Sequence, residues 1–304
     1  MKKLMCVVLA LTLLIFSGCA GNTPKTQEGK ITVATSFYPV YIFTLNLLNG
    51  IEEVNVECMA EQSAGCLHDY TLTAKDAKLL SDAQVLIING AGMESFLQDA
   101  LEGVENLNVI DSSLNIELIC DEEHHHEDEH NDHHHHENSH IWLSVKNAKK
   151  QVENIKNGLV KEFPRYKNKI EENYSDYIER LDALQEEQKT VLSGSKALNT
   201  ISFHGAFEYL ALDLGFNISA TIESDEGYEP SAKELASLSN KIKNHNIKAL
   251  FIAPDYSGSS AEILGRETNT EIYVLNPFIS GEETLTAYED IMKDNYRIIL
   301  KEVK

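Results

Sequence analysis

Positive charge is scarce in this chain. Its 304 residues carry 26 Lys and Arg against 48 Asp and Glu, a formal net charge of −22. A polyanion would be repelled by such a surface, which excludes nucleic acid as a partner. Long apolar runs are scarce as well: beyond residue 16 no stretch approaches the ~20 residues that a membrane-spanning helix needs. Cysteine is sparse, five in all, and two of these, Cys6 and Cys19, stand at the very start. The other three, Cys58, Cys66 and Cys120, leave room for one disulfide whose pairing is open. Cys66 lies two residues before His68 and could be read as a metal ligand, but a structural or disulfide role suits it better.

The apolar residues that do cluster are N-terminal. Lys2 and Lys3 precede an apolar run at 4–16, followed by Ser17-Gly18-Cys19. A positive start, a short apolar region and small residues before the cut describe a secretory signal over 1–18, too short to span a bilayer. The cysteine after Ser-Gly resembles that of a bacterial lipobox, which is lipidated and becomes the mature N-terminus, although Phe16 stands where Leu is usual. Residues 19–30 are polar and small and read as a tether. The expected location is therefore the outer face of the bacterial cell membrane, anchored through Cys19, with an otherwise soluble body.

Histidine is abundant in one place. Residues 121–140 read DEEHHHEDEHNDHHHHENSH, and eight of the twelve histidines (His124, His125, His126, His130, His133, His134, His135 and His136) fall between positions 124 and 136. The loop, taken as 121–139, has almost no apolar residue and cannot help to bury a core. Neutral imidazole is a preferred ligand for zinc, copper and nickel, and the interleaved acids add oxygen donors and negative potential. The segment reads as an auxiliary metal-collecting loop.

The rest alternates between short buried strands and helical patterns. Strands are expected at 31–35 (ITVAT), 84–89 (QVLIIN), 108–111 (NVID), 199–203 (NTISF), 217–222 (NISATI), 249–253 (ALFIA) and 271–275 (EIYVL). Such alternation implies an α/β fold with mainly parallel sheets covered by helices. An internal echo points to two similar lobes: Thr73-Ala-Lys-Asp76 leads to Leu80-Ser81, and Ser231-Ala-Lys-Glu234 leads to Leu238-Ser239. Both are capping-box starts, in which a hydroxyl and an acid three residues on satisfy orphan amides reciprocally. Between them, 166–192 is charged and free of Gly and Pro, with apolar or aromatic residues at Ile170, Tyr174, Tyr177, Ile178, Leu181 and Leu184. At 1.5 Å per residue it makes a rigid helix of roughly 40 Å joining the lobes. The expected domains are 31–165, a linking helix at 166–193, and 194–304.

Three histidines lie at strand–loop–helix junctions, the edge where α/β sheets place ligands. His68 sits in GCLHDYTLT, His140 opens HIWLS, and His204 follows the strand ISF. Their shared setting suggests convergence on a cleft; His245, in KIKNHNIK, reads as an exposed helix end.

The segments HDYTLTAKDAKLLSDAQVLIINGAGMESF, HIWLSVKNAKKQVENI, SFHGAFEYLALDLGF, EPSAKELASL and IAPDYSGSSAEILGRETNTEIYVLNP resemble, in order along nearly the whole mature chain, the zinc-uptake substrate-binding lipoproteins of ABC transporters. These are the cluster A-I solute-binding proteins for zinc or manganese. The resemblance implies two α/β lobes bridged by one long helix, a monomer without catalysis, an ABC permease as partner, and Zn2+ as the transported ligand. It places metal ligands at His68, His140 and His204. Many relatives have Asp-Pro after the last strand, where this chain has Asn276-Pro277, so the fourth ligand is open between Asn276, Glu282, Glu283 and water. Three imidazoles suit tetrahedral zinc, whereas manganese prefers more oxygen, and manganese members carry a carboxylate where His204 stands. A manganese-binding member is the alternative. A zinc-dependent hydrolase is a remoter one, with Glu208, four residues after His204, as its base and bound water as nucleophile.

Overall fold

Runs of four or five residues, rich in Ile, Val and Leu, build two parallel sheets. The computed structural model describes residues 30–60, 67, 70–104, 106–119, 137–194, 198–222, 230–254, 256 and 259–302. The signal and lipobox, His68, Cys66, Cys120 and the eight histidines of the metal-collecting loop lie outside the described residues. The first half runs β1 (Ile31–Thr35), α1 (Tyr38–Leu47), β2 (Val54–Cys58), α2 (Ala74–Asp82), β3 (Val85–Ile88), α3 (Gln98–Leu101), β4 (Asn108–Asp111) and α4 (Val145–Glu162). The long helix α5 (Lys167–Gly194) follows. The second half comprises β5 (Asn199–Ser202), α6 (Glu208–Asp213), β6 (Asn217–Thr221), α7 (Ala232–Asn244), β7 (Ala249–Ile252), α8 (Ser260–Thr268), β8 (Glu271–Val274) and α9 (Ala287–Glu302).

The strand orders are β2-β1-β3-β4 and β6-β5-β7-β8, every pairing parallel. Each strand of the first sheet thus has a counterpart in the second. The two capping-box helices are counterparts as well. Asp76 N donates to Thr73 Oγ1 at 3.3 Å while Thr73 N donates to Asp76 Oδ2 at 2.7 Å. Ser231 and Glu234 exchange the same pair at 2.8 and 3.3 Å. The expected strands are all present. One more, β2, was not expected; Asn and Glu interrupt its apolar residues and none of it is fully buried, as suits an edge strand.

Side-chain alternation puts each sheet between two layers. Val85 and Ile87 point into a central core that also holds Trp142, Leu181, Phe207, Phe251, Phe278 and Tyr288. Leu86, between them, packs outward with Met59, Leu79 and Leu97, and Leu250 does the same in the second half with Ile201 and Ile242. The central core is continuous through both halves, and α5 joins it. Ile170, Tyr177, Leu181 and Leu184 are buried, as expected for one face of a helix. The 28 residues of α5 are pinned to both halves. Asn173 donates to Leu47 O and Asn49 O, and Arg180 donates to Leu285 O at 2.8 Å, pairs with Glu289 at 2.7 Å and reaches Asn46. Among the described residues no helix is long and apolar enough to cross a membrane.

Candidate metal centre

The carboxyl end of β5 delivers His204. Its backbone is extended (φ −162°, ψ 137°), and it forms the N-cap of the turn Gly205–Phe207 that opens α6. Ring Nδ1 accepts from Ala206 N at 2.9 Å. A neutral imidazole has one donor and one acceptor nitrogen, so this cap leaves the ring proton on Nε2.

His140 arrives from the other half, just before the turn Ile141–Leu143 and α4, whose N-cap Ser144 accepts from Asn147 N at 3.3 Å. It is only 5% exposed. The His140 and His204 rings meet edge to face, centroids 5.0 Å apart and planes at 82°. On the other flank of His140 lies Trp142, centroid at 5.2 Å, which in turn packs on Phe37. His140 Nδ1 stands 2.9 Å from Asn138 Oδ1. Asn138 and Ser139, expected to close the histidine-rich loop, are instead buried parts of the folded body.

The β8–α9 connection comes close to the same turn. Trp142 Nε1 donates to Pro277 O at 2.9 Å, and Tyr288 OH donates to Trp142 O at 2.8 Å. Asn276 Oδ1 accepts from Phe278 N at 2.8 Å, which closes a local turn and uses one of the two lone pairs of the amide oxygen. Phe278 is fully buried at φ 57°, a left-handed conformation that few large side chains adopt, and is locked between Tyr38 and Tyr288. Of the other two fourth-ligand candidates, Glu282 accepts through its carbonyl from Tyr38 OH at 2.6 Å, and Glu283 Oε2 accepts from Tyr41 OH at 3.0 Å. Burial, with the two glutamates behind it, pushes the Tyr38 hydroxyl up to about 12. Cys58 is a free thiol whose pKa burial raises to about 12, and it stays protonated.

Among the described residues no group of three or more His, Cys, Asp or Glu could hold a metal ion, so this part of the centre is the His140–His204 pair. Glu208 does not face a free position beside His204. Its Oε1 accepts from Thr221 Oγ1 at 2.6 Å and its Oε2 from Asn138 Nδ2 at 2.9 Å, which leaves it unsuited to act as a hydrolytic base. His245 caps the exposed end of α7, as expected.

Two supports were missed in the sequence. Glu94 is buried beyond β3 and accepts from Ser36 Oγ, Asn89 N and Gly90 N at 2.7, 2.7 and 3.0 Å. Burial raises its carboxyl from 4.5 to about 7, with Asp111 adding to the effect. Asn89 then donates to Ser139 O at 2.9 Å, linking this net to the residue before His140. Asn138 is the second. The only sequence cue to either is a polar residue beside a strand end or a histidine.

Residues 33–302 match the family profile described as zinc-uptake complex component A, periplasmic (ZnuA). The chain belongs to the ZnuA family. It is 32% identical over 301 residues to the high-affinity zinc uptake system protein ZnuA of Bacillus subtilis, covering 95% of this chain and 93% of that one. It is 30% identical over 307 residues to the zinc-binding lipoprotein AdcA of Streptococcus pneumoniae, covering 99% of this chain but 59% of AdcA. The chain thus spans little more than half the length of that longer relative. The Zn(II)-bound AdcA structure superposes with a TM-score of 0.75 at 29% identity, over 90% of this chain and 58% of that one. The metal-dependent lipoprotein YcdH of Bacillus subtilis gives 0.74 at 28%, over 90% and 99%. Structures of FpvC from Pseudomonas aeruginosa, one with Mn2+ and one with Ni2+, share the fold at 23% identity. ZnuA proteins are transport components, not enzymes.

Proposed function

We propose that this chain captures Zn2+ between its two halves and delivers it to the membrane permease of an ABC transporter. The observation that carries this reading is the meeting of His140 and His204, one imidazole from each half, at 5.0 Å between ring centroids. An ion bound by both would sit ~2.0–2.1 Å from one nitrogen of each. His68 supplies the third imidazole. Loading takes the Ala206 N–H contact away from His204: the ring offers its lone pair either from Nδ1 itself or from Nε2 once the proton has moved to Nδ1. Asn276 acts chiefly as a turn former, and water completes the shell. Manganese prefers oxygen donors, whereas the two side chains brought together here are imidazoles.

The protein works as a monomer on the outer face of the membrane, held by lipid on Cys19. Histidines 124–136 act as an antenna that raises the local zinc concentration beside His140. Because one core runs through both halves, closure on loading is small. The test of the site is zinc titration of the His204→Ala variant: tight one-to-one binding should be lost, and its retention would show that the site lies elsewhere. Deleting residues 121–136, a cut that spares Asn138, should slow loading and growth under zinc scarcity while leaving the tight site intact. Labelled fatty acid should be incorporated by the wild type and not by Cys19→Ser.

A further inference from the structure

We propose that Asn138 is a positioning residue of this centre: one side chain both fixes His140 in the tautomer with its proton on Nδ1 and ties it to the turn that carries His204. The inference rests on His140 being a zinc ligand.

The orientation of the Asn138 amide is forced by its neighbours. Its Nδ2 lies 2.9 Å from Gly205 O and 2.9 Å from Glu208 Oε2, both acceptors, so these must receive the two amide protons. The oxygen therefore faces the other way, where it accepts from His140 N at 2.9 Å and meets His140 Nδ1 at 2.9 Å. An amide oxygen cannot donate, so Nδ1 carries the proton and the lone pair lies on Nε2. That is the tautomer a metal needs, set by a hydrogen bond to the far side of the ring.

The backbone of Asn138 is held as firmly. Its N donates to Ile119 O at 2.9 Å, and its carbonyl accepts from Tyr209 OH at 2.8 Å; Ile119 N completes the ring by donating to Tyr209 OH at 3.0 Å. The residue is 5% exposed. Gly205, whose carbonyl Asn138 grips, directly follows His204. One amide thus sets the tautomer of the first imidazole and its spacing from the second, across the boundary between the halves. A purely structural asparagine would need only the grip on Gly205 and Glu208; the bond to Nδ1 is what addresses the metal.

The test compares wild type, His140→Ala, Asn138→Ala, and Asn138→Asp paired with Glu208→Gln. The paired variant keeps an acceptor for His140 Nδ1–H and turns the contact with residue 208 round. Long-range 1H–15N spectra of the metal-free proteins report the His140 tautomer, and competition titration reports zinc affinity. Wild type should show Nδ1–H. Asn138→Ala should lose that preference and bind zinc ~10–100-fold more weakly, with an altered Co2+ spectrum. The paired variant should keep Nδ1–H, while the carboxylate oxygen it sets against Gly205 O withholds part of the affinity. The inference is overturned if wild-type His140 carries its proton on Nε2. It is overturned equally if Asn138→Ala stays within about threefold of wild type, or if the paired variant matches Asn138→Ala in both readouts. If His140→Ala itself binds zinc as wild type does, it is the zinc-site reading that fails, not the account of Asn138 alone.

Discussion

The two halves repeat one topology, yet their equivalent junctions hold different chemistry. After the first strand of each sheet, the first half places Ser36, whose hydroxyl is spent on buried Glu94, and the second places His204. After the fourth strand the roles reverse: the first half places His140, and the second places Asn276, whose amide closes a turn. The shared strand order gives the two halves equivalent junctions. Each half then gave one of these two junctions to an imidazole and the other to structure. Their supports differ too. His140 leans on a buried polar net through Asn138, Ser139, Asn89 and Glu94, whereas His204 leans on its own backbone.

The strongest blow to this asymmetry falls on the structural junction. Phe278→Ala should lower stability by ~3–5 kcal/mol, because a buried ring is lost while its left-handed backbone stays strained; denaturant titration reads this, and a loss below ~1 kcal/mol would remove Phe278 as the anchor of the β8–α9 loop. Next come the imidazoles. Structural zinc sites are worth ~10–16 kcal/mol, so one donor of four carries roughly 3–4 kcal/mol, and His140→Ala or His204→Ala should each weaken zinc by about a hundredfold to a thousandfold.

Glu94 sharpens the contrast in support. Its folded-state pKa is raised from 4.5 to about 7, so its contribution is fully present below pH 4.5 and lost as pH rises through 7. The loss is on the order of 3 kcal/mol for a shift of this size. Unfolding free energy measured across that window should fall in the wild type and flatten in Glu94→Gln; parallel curves would mean that Glu94 does not titrate there. The smallest effect belongs to Asn276→Ala. It should cost about 1 kcal/mol of stability for the lost turn and leave zinc affinity nearly unchanged. A large drop in affinity would make Asn276 a ligand after all.

The frame of the molecule was legible in the sequence because its signals are local. QVLIIN is apolar without interruption, the capping boxes span four residues, and the Gly- and Pro-free run before Gly194 can only be a long helix. VNVEC escaped because Asn and Glu break up its short apolar run. The histidines were legible by residue type and junction, and the structure brings His140 and His204 together; His68 and the loop histidines lie outside the described residues. The supports were not legible, because their meaning arises over long separations. Asn138 gains its role from Gly205 and Glu208, 67 and 70 residues away, and Glu94 from Ser36, 58 residues away. The contact of Asn276 was not legible either, because it depends on the left-handed backbone of Phe278, whose N donates to its oxygen.

The most direct test of the whole account is calorimetry with mass-spectrometric metal counting, on the mature chain and on the form lacking residues 121–136. The account predicts one tight zinc that survives the deletion and is lost in His140→Ala, with manganese weak. Disappearance of tight zinc together with the histidine-rich loop would contradict it, because the loop would then be the binding site and the meeting of His140 and His204 would hold no cargo.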